Sequence, residues 1–276
     1  MTTTVTQPAV GDLLRDWRRR RRLSQLELSI KADISSRHLS FLETGRSAPS
    51  RDMVLQLADR LDLSLRDRNR LLLAAGYAPA YPETPLEAPH MGAVRAAVRQ
   101  LLTGHEPNPA VVIDRNWNMI DANASLAMLV EPVAPWLLAP PANVLRVSLH
   151  PEGLAPHIVN LGEWRAHLLH RLRRQVDLGG DADLRRLEEE LSEYPCDQHE
   201  PGIELPGPGE IAVPLRLRRG GMELSMFSMV ATFGTPLDVT VAELSIESFY
   251  PANENTSRLL RKWHDAHMKD SVNATG

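Results

Sequence analysis

Through the first quarter of the chain, apolar residues recur every three or four positions, the period of helices with one buried face. Val10, Leu14 and Trp17 form the first such stripe. Ser24 then precedes Gln25-Leu26-Glu27-Leu28, and Glu27, three residues after Ser24, completes a capping box, so a second helix is predicted from about residue 25 to Ala32. Ser35 is placed to cap a third helix running to about Thr44, and Gly45 supplies the left-handed residue that ends it. Pro49-Ser50 opens a fourth helix carrying Val54, Leu57, Ala58 and Leu61. Ser64 caps a fifth, which stops at Gly76.

The pattern then changes. Tyr77 to Pro89 holds Pro79, Pro82, Pro85 and Pro89, a density that stops helices and stiffens a connector. Beyond it, Ala110-Val111-Val112-Ile113 reads as a strand, Asp114-Arg115-Asn116 as a turn, and Trp117 to Asp121 as a returning strand. Residues 122–130, 160–177 and 181–193 read as helices, the second with a stripe of Leu161, Trp164, Leu168, Leu172 and Val176. Segments at about 210–218, 222–232 and 239–249 alternate like strands, with Arg219-Gly220-Gly221 as a hairpin turn. The expected fold is an all-α five-helix domain at 8–78, a Pro-rich linker at 79–90, an α+β domain at 91–265 and a flexible tail at 266–276.

Charge sharpens this division. Residues 1–75 carry 14 Lys and Arg against 9 Asp and Glu, whereas the other 201 residues carry 17 against 26. A basic front on an acidic body suits a nucleic-acid reader joined to a different module. The single cysteine, Cys196, excludes an intramolecular disulfide and a four-cysteine zinc site. No stretch approaches the roughly 20 apolar residues of a membrane-spanning helix. Met1 to Pro8 lacks the apolar core of a secretory signal, so a cytoplasmic location and no membrane partner are expected.

Two short capped helices joined by a tight turn are what a helix-turn-helix requires, the first propping the second in the DNA major groove. Leu26, Ile34, Leu39 and Leu42 are the expected inward residues. Ser36, Arg37, Ser40 and Phe41 then face outward: the first three can donate to base edges, and Phe41 can touch a thymine methyl. Gln25, Ser35, Thr44 and Arg46 sit at helix ends, where phosphate contacts set register. In the arginine run Arg18 to Arg22, Arg18 is expected to be structural, with one or two others near the DNA backbone.

The Leu23-Ser24-Gln25 start, the Leu42-Glu43-Thr44-Gly45-Arg46 end and the Pro49-Ser50 opening together resemble the Xre/Cro repressor-type helix-turn-helix family over about residues 10–75. That resemblance implies a pair between Arg18 and Glu43, and a transcription regulator that binds a roughly palindromic double-stranded operator as a homodimer. Residues 100–250 resemble the ligand-binding domain of MmyB-like regulators. The resemblance lies in Pro109 to Asp114, Trp117 to Asn123, Asn143 to Arg146, the helix around Trp164-Arg165 and the late strands. The family's Trp then His-Pro segment just before the late strands is not found, and Cys196 to Gly209, which occupies that region, is rich in Pro and Gly instead. The resemblance implies a PAS-like fold with a pocket for a small apolar molecule, such as a fatty acid. Trp117, Trp136, Leu145, Trp164, Met226 and Phe227 are candidate walls, with Arg146 and Arg165 as candidate carboxylate anchors. For each of these residues the ordinary core role is the stronger reading, since an aromatic at helical or strand spacing is more often core than pocket.

Two alternatives stay open. The second domain could be a dimerisation or partner platform with no ligand. It could also be a metal-dependent enzyme, since His167 and His170, and His264 and His267, are three apart on predicted helices. Neither pair has an evident third ligand, and there is no Gly-rich phosphate loop or Gly-x-Ser-x-Gly elbow, so no catalytic residue, metal or cofactor is expected.

Overall fold

The computed structural model describes residues 9–201 and 212–273, which divide into two units. The first comprises the chain up to Ala88 together with Gly234–Ala242, and the second comprises Pro89–Phe233 and the chain from Glu243 onward.

The first unit has the five expected helices: α1 (Val10–Arg20), α2 (Gln25–Lys31), α3 (Ser36–Glu43), α4 (Arg51–Arg60) and α5 (Leu65–Ala74). Their starts follow from local chemistry. Ser24, Ser35, Ser50 and Ser64 each accept a hydrogen bond from the backbone N–H three residues on, and Glu27 returns a bond to the Ser24 N–H. Each such cap is worth about 1 kcal/mol. Gly45 ends α3 and Gly76 follows α5, both at positive φ, where a Cβ would be strained. Leu14, Leu28, Leu39, Leu42, Leu57 and Leu71 are fully buried at the centre.

One inward assignment needs correcting. Leu26 is 61% exposed, and α2 turns Leu28 and Ser29 inward, with Ala32 just past its end. A seven-residue helix offers too few apolar positions to fix its phase. Ile34 is only partly buried, while Leu39 and Leu42 are buried as expected.

The Pro-rich stretch packs on this unit. The Asn69 side chain accepts from the Ala80 and Tyr81 N–H groups and donates to the Tyr81 carbonyl, and the Tyr77 hydroxyl donates to the Pro49 carbonyl. Residues 239–249, expected as one strand, begin instead as a helical turn, α11 (Val239–Ala242). Asp238 starts that turn by accepting from the Thr240 N–H, and the Val239 N–H donates to the Pro82 carbonyl at 2.8 Å.

The second unit is built on a five-stranded antiparallel sheet ordered β2-β1-β5-β4-β3. The strands are β1 (Ala110–Ile113), β2 (Met119–Ala122), β3 (Leu215–Arg219), β4 (Met222–Thr232) and β5 (Ser245–Pro251). Its helices are α6 (Gly92–Gly104), α7 (Leu126–Val130), α8 (Val144–Leu149), α9 (Leu161–Gly179), α10 (Ala182–Glu193) and α12 (Glu254–Asn273). Asp114 makes the expected turn by accepting from the N–H groups of Asn116 and Asn118, and Gly220-Gly221 turns β3 into β4 with both φ values positive. Val111 and Ile113 join Trp117, Trp164, Leu168, Leu172 and Phe249 in one core, while α6 packs against β1.

Three boundaries differ from expectation. The helix expected from Ala122 starts only at Leu126. Asn123 is held in place instead, its amide oxygen accepting from the Ala110 N–H and its amide nitrogen donating to the Asn108 carbonyl. The third strand starts at Leu215, and the first two residues of the span expected for it lie outside the described residues. The expected tail is helical through Asn273. The last three residues, and the domain start expected at residue 8, also lie outside the described residues. No helix among the described residues is long and apolar enough to cross a membrane.

Gly11 tests the packing of α1 on α3. A Cβ there would stand 2.6 Å from the Leu42 carbonyl oxygen and 2.8 Å from that of Glu43. Because backbone and not a flexible side chain is in the way, Gly11→Ala is expected to destabilise the first unit by about 1–3 kcal/mol. Faster amide hydrogen exchange along α3 would report it.

Candidate functional site

The first candidate site is the outer face of α3, which is anchored from behind. Glu43 has a side chain with no exposed surface. It accepts from Arg18 Nε at 2.6 Å and Nη2 at 2.9 Å, and from Gln25 Nε2 at 2.8 Å, with Arg15 Nε at 3.9 Å. Burial alone would raise the Glu43 carboxyl, but the hydrogen bonds from Arg18 and Gln25 and the charges of Arg18 and Arg15 outweigh it. The group is held below the usual carboxylate range. Arg15 also donates to the Glu43 carbonyl at 2.6 Å, a role not read from sequence. The arginine run divides by function. Arg18 holds Glu43, Arg21 donates to the carbonyls of Leu61 and Asp62 at the end of α4, and Arg19, Arg20 and Arg22 are exposed.

In front, Ser35, Arg37, Thr44 and Arg46 are exposed, and Ser36, Ser40 and Phe41 are half-exposed. The Arg37 and Arg46 guanidinium carbons lie 5.3 and 5.9 Å from the Phe41 ring centre, within cation–π range. Three hydroxyls are already engaged. Ser35 caps α3, and Thr44 donates to the Ser40 carbonyl at 2.7 Å. Ser29 donates to the Leu26 carbonyl at 2.8 Å, and a 2.8 Å hydrogen bond joins its hydroxyl to that of Ser36. Arg37 and Ser40 keep their donors outward.

The second candidate site lies in the core of the second unit. An inner cavity of about 80 Å³ is walled by Trp117, Leu145, Trp164 and other apolar side chains, with Ser148 and Glu247 as its polar members. A larger cleft of about 400 Å³, between α7 and the β3–β4 turn, shares Leu129 and Leu154 with it. Arg218, Arg219, His157 and Glu131 give the cleft its polar lining. Arg219 pairs with Glu131 and donates to the Met128 carbonyl. Trp117 holds φ at 65°, a left-handed conformation that costs a bulky residue about 1–3 kcal/mol. Its indole donates to Gln175 at 2.9 Å, and Arg171 lies 4.8 Å from its ring centre.

The other candidates lie elsewhere. Trp136 is 54% exposed and donates to Glu152. Met226 is buried in the core, and Phe227 stacks on Tyr250. Neither foreseen anchor lines the inner cavity or the cleft, and each is engaged elsewhere. Arg146 makes two 2.7 Å bonds to Glu190, which holds that carboxyl low, and Tyr194 donates to the same carboxylate. Arg165 pairs with Glu200 and donates to the carbonyls of Leu191 and Ser192. His167 is half-buried beside Trp164, and burial, helped by Arg171, pushes its imidazole below the ordinary value. His170 is exposed, His264 faces Glu106 at 3.4 Å, and His267 stacks on Trp263. Among the described residues, no group of three or more His, Cys, Asp or Glu is arranged to hold a metal ion.

A family profile described as MmyB-like transcription regulator ligand binding domain matches residues 94–262, and a helix-turn-helix domain profile matches residues 9–71. No curated protein matches the chain. Among solved structures, the PAS domain of BvgS from Bordetella pertussis is 20% identical with a TM-score of 0.28, covering 64% of this chain and 99% of that one. An RNA-binding light-oxygen-voltage receptor is 15% identical with a TM-score of 0.27, covering 98% of this chain and 64% of that one.

The Glu43 network sets two expectations. Because the Glu43 carboxyl sits below its ordinary value, its contribution is present at neutral pH and is lost as pH falls through the usual carboxylate range and below. Glu43→Gln leaves Arg18 buried without a charge partner and is expected to cost about 3–5 kcal/mol. The variant should show fast exchange along α3 at pH 7 and a flatter acid dependence of stability than the parent.

Proposed function

Because the chain belongs to the MmyB-like transcription regulator family, we propose that it is a sequence-specific regulator that couples operator binding to an apolar small molecule held in its second unit. The observation that carries this reading is the asymmetry of α3. One face is locked by a buried ion-pair network, while the other presents Arg37, Ser40 and Phe41. Such rigidity gives base contacts fixed geometry. Arg37 is the base reader, Ser40 and Ser36 add hydrogen bonds, and Phe41 offers an apolar contact to a thymine methyl. Gln25, Ser35, Arg46 and the exposed Arg19 and Arg20 serve as phosphate contacts, whereas the Thr44 hydroxyl is spent on the Ser40 carbonyl. Two copies bound about one helical turn apart on a palindromic operator fit a helix-turn-helix of this size.

For the second unit we propose that the ligand body occupies the cleft. Its volume of about 400 Å³ falls within the roughly 300–1,000 Å³ of small-molecule sites. A fatty acid is one candidate, with Arg218 as the cation for its carboxylate, since Arg146, Arg165 and Arg219 are committed to Glu190, Glu200 and Glu131.

Arg37→Ala should relax base preference at one operator position by about 1–3 kcal/mol and leave other positions unchanged, measured across a set of single-base operator variants. Equal weakening on every sequence would assign Arg37 to the phosphates instead. Titrating a saturated fatty-acid series into the protein–operator complex should shift DNA affinity about 5- to 150-fold for an effective member. No shift with any member, and no adduct in native mass spectra, would favour the ligand-free platform.

A further inference from the structure

Glu247 is an acidic residue in an apolar place. Its side chain is 6% exposed, it lies on β5 opposite Val111 of β1, and it lines the inner cavity. Of the seventeen residues around that cavity, it alone carries a charge. The two indole N–H groups on the wall are already given, Trp117 to Gln175 and Trp164 to Ser148. Glu247 accepts from Arg171 Nη1 at 3.1 Å through Oε1, and no second hydrogen bond to the carboxylate is present among the described residues. A carboxylate has about four lone-pair sites, so most of its accepting capacity is unused. No cation lines the cavity, and Arg171 is turned to Glu247 and the Trp117 ring.

Size adds a second constraint. At about 80 Å³ the inner cavity is well below the roughly 300 Å³ of a complete small-molecule site. It shares Leu129 and Leu154 with the cleft, so it is placed to receive one end of a ligand whose body lies in the cleft.

Building on the proposed sensing role, we propose that the inner cavity is a subsite for a hydroxyl group on an apolar ligand, with Glu247 as its acceptor. An alcohol donates a hydrogen bond to the carboxylate and brings no charge into the apolar wall. An anionic group would lie against Glu247 with no cation in the cavity to balance it, and would be excluded. The subsite therefore selects the polar group at the inner end of the ligand, independently of what the rim arginine holds.

The test compares 10-hydroxydecanoate with decanedioate, which share a carboxylate for the rim and differ only at the inner end, titrated into the full chain and followed by tryptophan fluorescence, since Trp117 and Trp164 line the cavity. The hydroxy acid is expected to bind more tightly by roughly 10- to 100-fold, the range for a hydrogen bond to a charged group. Glu247→Gln leaves Arg171 without its charge partner beside the cavity and should narrow or reverse that order. The double variant Glu247→Gln with Arg171→Gln removes both charges, so only the cost of desolvating the second carboxylate remains, and its preference for the hydroxy acid should lie between those of the parent and the single variant. Equal or tighter binding of decanedioate by the parent, or an unchanged preference in both variants, would overturn the Glu247 assignment while leaving apolar sensing intact. Binding of neither probe would remove the sensing role and this subsite together.

Discussion

A carboxylate removed from water must be met by charge and hydrogen bonds, and in the first unit Glu43 is that carboxylate. Its three donors come from two other helices: Arg18 on α1 supplies two, and Gln25 on α2 supplies one. One buried group therefore ties the last residue of α3 to both of its neighbours. Leucine packing could hold α3 near this place, but apolar contact is non-directional and tolerates rotation. The bidentate guanidinium contact does not, because both of its bonds have fixed directions. The rotation of α3 decides which side chains it presents outward, so the geometry of its outer face is set from the opposite side of the helix.

The second unit repeats the device with a different result. Glu247 and Arg171 also form a charged pair in the interior, 76 positions apart in sequence. Here Glu247 is among the residues that line a cavity, whereas the Glu43 side chain has no exposed surface. Its surroundings are correspondingly less regular. Trp117 holds a left-handed backbone conformation, steadied by its bond to Gln175 and by the Arg171 guanidinium over its ring. Strain of this kind persists only where neighbouring contacts over-determine it.

The readings that succeeded share a physical basis in local chemistry. Ser24, Ser35, Ser50 and Ser64 each satisfy a backbone N–H three residues away, so the start of each helix is encoded within a single turn. Asp114 and the Gly220-Gly221 pair define their turns in the same short range. The stripe from Trp164 to Val176 is buried as its spacing predicts, because nineteen residues of helix allow only one phase. The readings that failed lacked such a constraint. Leu26 lies on a helix of two turns, and Val239 to Ala242 alternates like a strand yet is capped as a helical turn by Asp238.

The amino-acid sequence by itself determined where the first five helices begin, the turns at Asp114 and Gly220-Gly221, and the division into a basic helical part and an acidic mixed part. Those properties rest on interactions within a few residues, or on composition. Tertiary structure alone decided which arginines are spent on structure. Arg15, Arg21, Arg146 and Arg165 look like free cations in the sequence, but each is bound to carbonyls or a carboxylate that folding brings close. It also decided that a glutamate, and no arginine, faces the inner cavity. The physical reason is common to both: burial and pairing of charge depend on groups far apart along the chain, and neither spacing nor local propensity carries that distance.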